Sequence, residues 1–155
     1  MKKYLKIISI VVLVLCMVVI FILSNENSVD STNTSLSTTK GVVDKITLHN
    51  VDEDTSQNIA YSYDIIIREV AHVIEYLILG LLVINVYKYF FKVDYKCFII
   101  CMLFCIIYAL SDEIHQSYIP GRTFQYEDIF LDTLGCLIGI SHYYFFYKIK
   151  EKKLV

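Results

Sequence analysis

Arg68, His72 and Glu75 recur at i, i+4 and i+7. On a helix that spacing puts three ionisable side chains on one face. Asp112, His115 and Gln116 repeat the arrangement at i, i+3 and i+4, with Ser111 and Glu113 beside them, and Asp128 and Asp132 are again one turn apart. Imidazole and carboxylate are the groups that move protons as general acid and base. His72, Glu75, Asp112 and His115 are therefore the candidate catalytic residues. Arg68 and Arg122 carry the planar fork that grips a phosphate or carboxylate. With Glu113, Gln116, Asp128 and Asp132 they form the candidate ligand-binding set. His72-x-x-Glu75 puts two metal-capable side chains on one helix face, so a divalent ion such as Zn²⁺ is an open alternative, although the spacing is not that of HExxH. Ser111, one turn from His115, is a weaker candidate nucleophile. The rival use of these charges is structural: Arg68 paired with Asp128 or Asp132, and Arg122 with Glu127 or Asp112, would fix a bundle.

The elements that must position these groups are apolar. Hydrophobic residues make up 56% of the 155 residues, above the usual share for a soluble domain. They fall into four runs, so the expected fold is all-α, an integral membrane bundle of four transmembrane helices in one domain over 1–155. The expected helices are about 5–23, 65–91, 97–116 and 129–147. Ile7 to Leu23 is long for the apolar part of a signal peptide, and no small-residue cleavage site follows it. Seventeen helical residues cover about 26 Å, and Tyr4 and Leu5 extend that toward a full crossing. The connections 24–64 and 117–128 are polar and read as loops. The first is rich in Ser, Thr and Asn and carries Asp52-Glu53-Asp54. Leu36, Val42, Val43 and Ile46 in it could form a short amphipathic helix on the membrane surface. Asp64 is the expected N-cap of the second helix. Pro120-Gly121 marks a turn.

Orientation follows from the basic residues. With the N-terminus inside, Lys2, Lys3, Lys6, Lys88, Lys92, Lys96, Lys148, Lys150, Lys152 and Lys153 are cytoplasmic, and Lys40, Lys45, Arg68 and Arg122 are not. Ten against four, with every inner cluster at a helix end, satisfies the positive-inside rule. Both termini are then cytoplasmic, and three helices deliver their ionisable groups to the outer side. A charged residue at mid-membrane costs about 2.5–3.5 kcal/mol on insertion scales. The groups are therefore expected to face one another in a pocket open to the outside. The inner halves carry almost no such residues, which disfavours an ion path through the bundle.

The remaining features are plainer. Cys16, Cys97, Cys101, Cys105 and Cys136 all lie in apolar runs and read as small apolar filler. Gly135 and Gly139 form a GxxxG, which brings helices close. The 13 tyrosines suit bilayer interfaces. His49 reads as solvated and His142 as interfacial. A lipid bilayer is the expected partner, and nucleic acid is not one.

Two blocks carry a resemblance. Arg68-Glu-Val-Ala-His72-Val-Ile-Glu75-Tyr76, followed by Leu79-Gly80, resembles the R-K-x-A-H-x-x-E-Y-x-x-L-G block of VanZ-like membrane proteins. Ser111-Asp112-Glu113-Ile-His115-Gln116, then Pro120-Gly121-Arg122, Asp128 and Asp132-Thr-Leu-Gly135, resembles the family's S-D-E-x-H-Q…P-G-R…D…D/N-x-x-G block. Ser24-Asn25-Glu26 stands where the family commonly has Ser-Ser-Gln. Glu69 replaces the family's lysine, so no role needing a basic pair at 68 and 69 carries over. The resemblance implies a multi-pass protein of the bacterial cytoplasmic membrane, with its polar groups toward the cell wall. The family takes its name from a protein associated with resistance to the glycopeptide teicoplanin, and it brings no established reaction. An anionic lipid-linked or cell-wall ligand is the leading expectation, and a membrane-embedded hydrolase or transferase is the alternative.

Overall fold

The computed structural model describes residues 2–25, 36–42, 45 and 53–153. Among the described residues four long helices carry the fold: α1 (Lys2–Ser24), α2 (Glu53–Tyr87), α3 (Tyr95–Gln116) and α4 (Tyr126–Lys152). No strand occurs among the described residues. Each helix contains a stretch long and apolar enough to cross a membrane: Lys3–Ser24, Ile66–Tyr87, Tyr95–Gln116 and Tyr126–Lys152. At 1.5 Å per residue a 22-residue stretch covers about 33 Å, close to the hydrocarbon thickness. Residues 36–42 are also helical, including Leu36 and Val42. Val43 and Ile46 lie outside the described residues.

The boundaries differ from the sequence reading in ways that have local causes. The second helix does not begin at Ile65 after a loop. It starts at Glu53 and is 35 residues long. Residues 53–64 contain neither proline nor glycine, and lengthening an existing helix needs no new nucleus. Ser62 adapts to the helix by donating its hydroxyl to the Asn58 carbonyl at 2.9 Å. Asp64 therefore lies inside the helix, eleven residues past its first residue, and not at its start. At its other end α2 stops at Tyr87 instead of Phe91. The chain tightens there, with Tyr89 N bonding Val86 O and Phe90 N bonding Tyr87 O, the i to i+3 pattern of a closing turn. α3 starts at Tyr95, two residues before the expected Cys97, because Asp94 caps it: its carboxylate accepts from Cys97 N at 3.0 Å. α4 runs three residues earlier and five later than expected. Glu127 and Asp128 in its first turn, and Lys150 and Lys152 in its last, match the helix dipole at both ends.

α2 and α4 pack most closely. A methyl group added at Gly135 or Gly139 would drive into the carbonyl oxygen of Val73 or Leu77. One added at Gly80 would sit 2.7 Å from the Cys136 carbonyl. Small residues thus let these two backbones touch, as lipid-embedded helices require when no hydrophobic force drives them together. Tyr76, Leu79, Ile84 and Ile140 are fully buried at the centre, with Cys97, Cys101, Cys105 and Cys136 filling the gaps. All five cysteines are free thiols. α1 leans mainly on α2 and leaves most of its valines, isoleucines and leucines exposed. Such a surface is stable in lipid and not in water.

Candidate functional site at the carboxylate end

Asp112 is the best-connected polar residue at the end of the bundle where α1 finishes. Its side chain is buried. Oδ2 accepts from Ser24 Oγ at 2.8 Å, from Gln116 Nε2 at 3.0 Å and from Tyr76 OH at 3.4 Å. Those donors stand at the end of α1, at the end of α3 and within α2. Three helices are therefore tied to one carboxylate oxygen. Gln116 in turn accepts from an Arg122 guanidinium nitrogen, so the chain of bonds runs out into the turn between α3 and α4. Tyr108 adds a further tie, donating its hydroxyl to the Met17 carbonyl at 2.7 Å.

The neighbouring Glu113 points the other way. It is 1% exposed, and Oε1 accepts from the backbone N–H of Gln125 at 2.6 Å. Gln125 is the N-cap of α4 and makes no side-chain cap bond. Glu113 thus satisfies a donor that the start of α4 would otherwise leave open. Ile119 to Arg122 is a tight turn closed by Arg122 N to Ile119 O at 3.1 Å. Pro120 holds its second position. Gly121 supplies φ 82° at the third, a conformation that a Cβ opposes. The turn returns the chain so that Arg122 reaches Gln116.

Asp132, on the second turn of α4, is buried and meets His72 of α2, with Oδ1 3.3 Å from His72 Nδ1. The His72 ring keeps 25% of its side-chain surface exposed, against 3% for Asp132. The carboxylate orients the ring through one nitrogen and leaves the ring partly accessible. Glu75 is half-buried and within electrostatic reach of His72, Asp132 and Asp112. Arg68 is half-buried on the same helix. Burial first, and then the nearby Arg68 charge, lower the basicity of Arg122; Asp128, Asp112 and Glu113 oppose this. The two arginines are therefore within electrostatic reach of each other, although 54 residues separate them in sequence.

Not every expected partner converges. His115 turns away from Asp112 and stacks on Phe21 of α1, ring centroids 4.4 Å apart. Its helical spacing is right, but its ring fills the gap between α3 and α1. Ser111 is exposed and donates to the Tyr108 carbonyl one turn back at 2.7 Å, so it does not form a pair with His115. Among the described residues no group of three His, Cys, Asp or Glu side chains is placed to hold a metal ion. Ser24 and Tyr76 belong to the site, and neither residue type nor helical spacing marked them. Both stand inside the stretches that carry the family resemblance.

Three buried acceptor or ring atoms at this end have no hydrogen-bond partner among the described residues: Asp112 Oδ1, Glu113 Oε2 and His115 Nε2. Buried polar atoms are nearly always bonded to something. The opposite, lysine-rich end also holds more polar contact than expected. Asn85 Nδ2 donates to Ser9 Oγ at 3.2 Å, and Lys88 donates to Asn85 Oδ1 at 2.6 Å and to the Tyr143 hydroxyl at 2.5 Å. Buried Leu79, Val83, Cys136 and Ile140 lie between the two networks along α2 and α4.

A family model described as VanZ/LLP1 matches residues 9–147. No curated protein matches the chain, and no solved structure does.

Proposed function

Starting from the VanZ/LLP1 family, to which this chain belongs, we propose that it is a cell-envelope protein whose carboxylate end binds an anionic, lipid-linked or cell-wall-related ligand. In this reading the protein sits in a bacterial cytoplasmic membrane with both termini in the cytoplasm. The carboxylate end then forms a pocket open to the cell wall. The observation that carries the reading is the Arg122 guanidinium, bonded into the Asp112 network through Gln116, with the Arg68 charge within electrostatic reach. Two cations within reach of each other favour an anion that both can contact. Guanidinium forks are suited to phosphate or carboxylate at headgroup depth. The unpartnered oxygens of Asp112 and Glu113 ask for donors, which hydroxyl or amide groups of a saccharide or peptide would supply. Occupancy of this pocket would alter glycopeptide susceptibility, teicoplanin included, by withholding or presenting an envelope component.

The test is mass spectrometry of lipid-like molecules that co-purify with the protein from bacterial membranes. Arg68→Gln/Arg122→Gln should lose a phosphate- or carboxylate-bearing species that the unaltered chain retains, while still inserting and folding. If the double variant keeps the same species at the same level, the pocket does not bind through its arginines. The parallel readout is teicoplanin susceptibility of a host with and without the gene.

His72 and Asp132 support a second reading, a membrane-embedded hydrolase or transferase. Asp132 fixes the ring at Nδ1, which leaves Nε2 as the proton-transfer atom, with Glu75 as the second carboxylate. The nucleophile would be water or a substrate group, since Ser111 is turned away. Release of a product from envelope lipids by the unaltered chain, abolished in His72→Ala, favours this reading. Ligand retention without turnover returns the argument to binding alone.

A further inference from the structure

The lysine-rich end carries a second built site. Lys88 is half-buried, and its ammonium is held by Asn85 and by Tyr143. It has three N–H donors, so one remains for another acceptor. Its charge also stands 5.1 Å from the Tyr89 ring centroid and 5.2 Å from that of Tyr143. Lys88 lines a groove of about 800 Å³ together with His142, Tyr143, Phe146, Lys150 and Lys153. Glu151 lines it too, but its carboxylate is engaged by Lys148 at 2.8 Å. The groove is therefore cationic, with aromatic walls. A second groove of about 660 Å³, lined by Phe98, Leu137, Ile138, Phe145 and again His142, lies farther along α4 toward the middle of the span. From Phe145 back to Leu137 it covers about 12 Å of helix.

A cationic groove at the helix ends and an apolar groove farther into the span, both lined by His142, match the two parts of one molecule. We propose that this end binds an anionic phospholipid, its phosphate seated among Lys88, Lys150 and Lys153 and an acyl chain lying along Leu137, Ile138 and Phe145. Basic pockets between helix ends are a recurrent way of holding anionic headgroups, and each lysine near such a surface contributes about a factor of five in affinity. The surrounding tyrosines and phenylalanines fit the interfacial depth at which a headgroup meets its chains. The site is independent of the ligand proposed at the carboxylate end, because different residues at the other end of the bundle form it.

The experiment is native mass spectrometry of the full chain, delipidated in detergent and offered phosphatidylglycerol, phosphatidylcholine or inorganic phosphate. Phosphatidylglycerol adducts should predominate. Lys150→Gln/Lys153→Gln, both at exposed positions, should weaken them on the order of thirty-fold, the product of two lysine contributions. Lys92→Gln/Lys96→Gln, which removes exposed lysines outside the groove, should leave them unchanged. Ser141→Trp, which fills the deeper groove, should weaken phosphatidylglycerol retention with all lysines intact. Equal retention of the two lipids overturns the proposal. So does equal loss in the Lys92/Lys96 control, which would mark a diffuse basic belt. Undiminished retention in Ser141→Trp rejects the acyl seat, and retention of inorganic phosphate in preference to the lipid identifies a free anion as the occupant.

Discussion

Asp112 Oδ2 accepts from Ser24, Tyr76 and Gln116, and so ties α1, α2 and α3 through one oxygen atom. Removing it leaves three donors facing a void in a region that water reaches poorly, and each buried unsatisfied group costs about 1–3 kcal/mol. Asp112→Ala should therefore lose about 3 kcal/mol or more in detergent unfolding. Asp112→Asn retains a carbonyl oxygen and should lose less. On the proposed function, the stability and the binding contributions of Asp112 and His72 differ in proportion. His72→Ala removes a partly exposed ring and leaves one buried oxygen, Asp132 Oδ1, without its partner; on the proposed function it should cost about 1–3 kcal/mol, less than Asp112→Ala, while abolishing retention of a co-purified ligand. Thermal unfolding and mass spectrometry on the same preparations check both outcomes. Equal destabilisation in His72→Ala and Asp112→Ala would make the His72–Asp132 pair another strut of the bundle.

The helices are held by devices of two kinds, and each predicts its own loss. Along α2 and α4 the device is the absence of side chains. Gly139 faces the Leu77 carbonyl with no room for a methyl group, so Gly139→Leu must separate the backbones. Overpacking of this sort costs about 1–3 kcal/mol, and it should also weaken the contact between Asp132 and His72, read as lost ligand retention. At the turns the device is local geometry. Asp94→Ala removes the α3 cap and should cost about 1 kcal/mol. Gly121→Ala forces a Cβ into φ 82° and should cost about 1–2 kcal/mol. In that variant Arg122 is displaced from Gln116, so binding should fall further than stability. Denaturant titration of the three variants, with retained ligand measured beside it, tests the distinction. The Pro-Gly dipeptide announced this turn. Nothing in residue type announced that Glu113 would satisfy Gln125 N, because that bond joins a side chain to a backbone group twelve residues on and depends on where α4 starts.

At the scale of the molecule, what was legible in the chain was its coarse polarity. Four apolar runs are visible as runs, and α2, α3 and α4 do bring His72, Asp112 and Asp132 to one end. Helical period fixes which residues share a face, but not which neighbour that face meets. That is why Asp112 found Ser24 and Tyr76 while His115 found Phe21. Composition also hid the onset of α2 at Glu53, since a polar stretch without proline or glycine is equally compatible with loop and with a helix continued from its own span. The direction proposed for the bundle in the membrane rests on charge. Ten lysines border the helix ends opposite the carboxylate cluster, and an inside-positive arrangement would place them in the cytoplasm. A cysteine-free background is the way to test this, since all five natural thiols are free. Single cysteines at Thr123, in the turn between α3 and α4, and at Lys92, between α2 and α3, stand at opposite ends of the bundle. A membrane-impermeant maleimide applied to intact cells should label Thr123→Cys, and Lys92→Cys only after lysis. The reverse pattern would turn the Arg68–Arg122 pair toward the cytosol, where no cell-wall component could reach it.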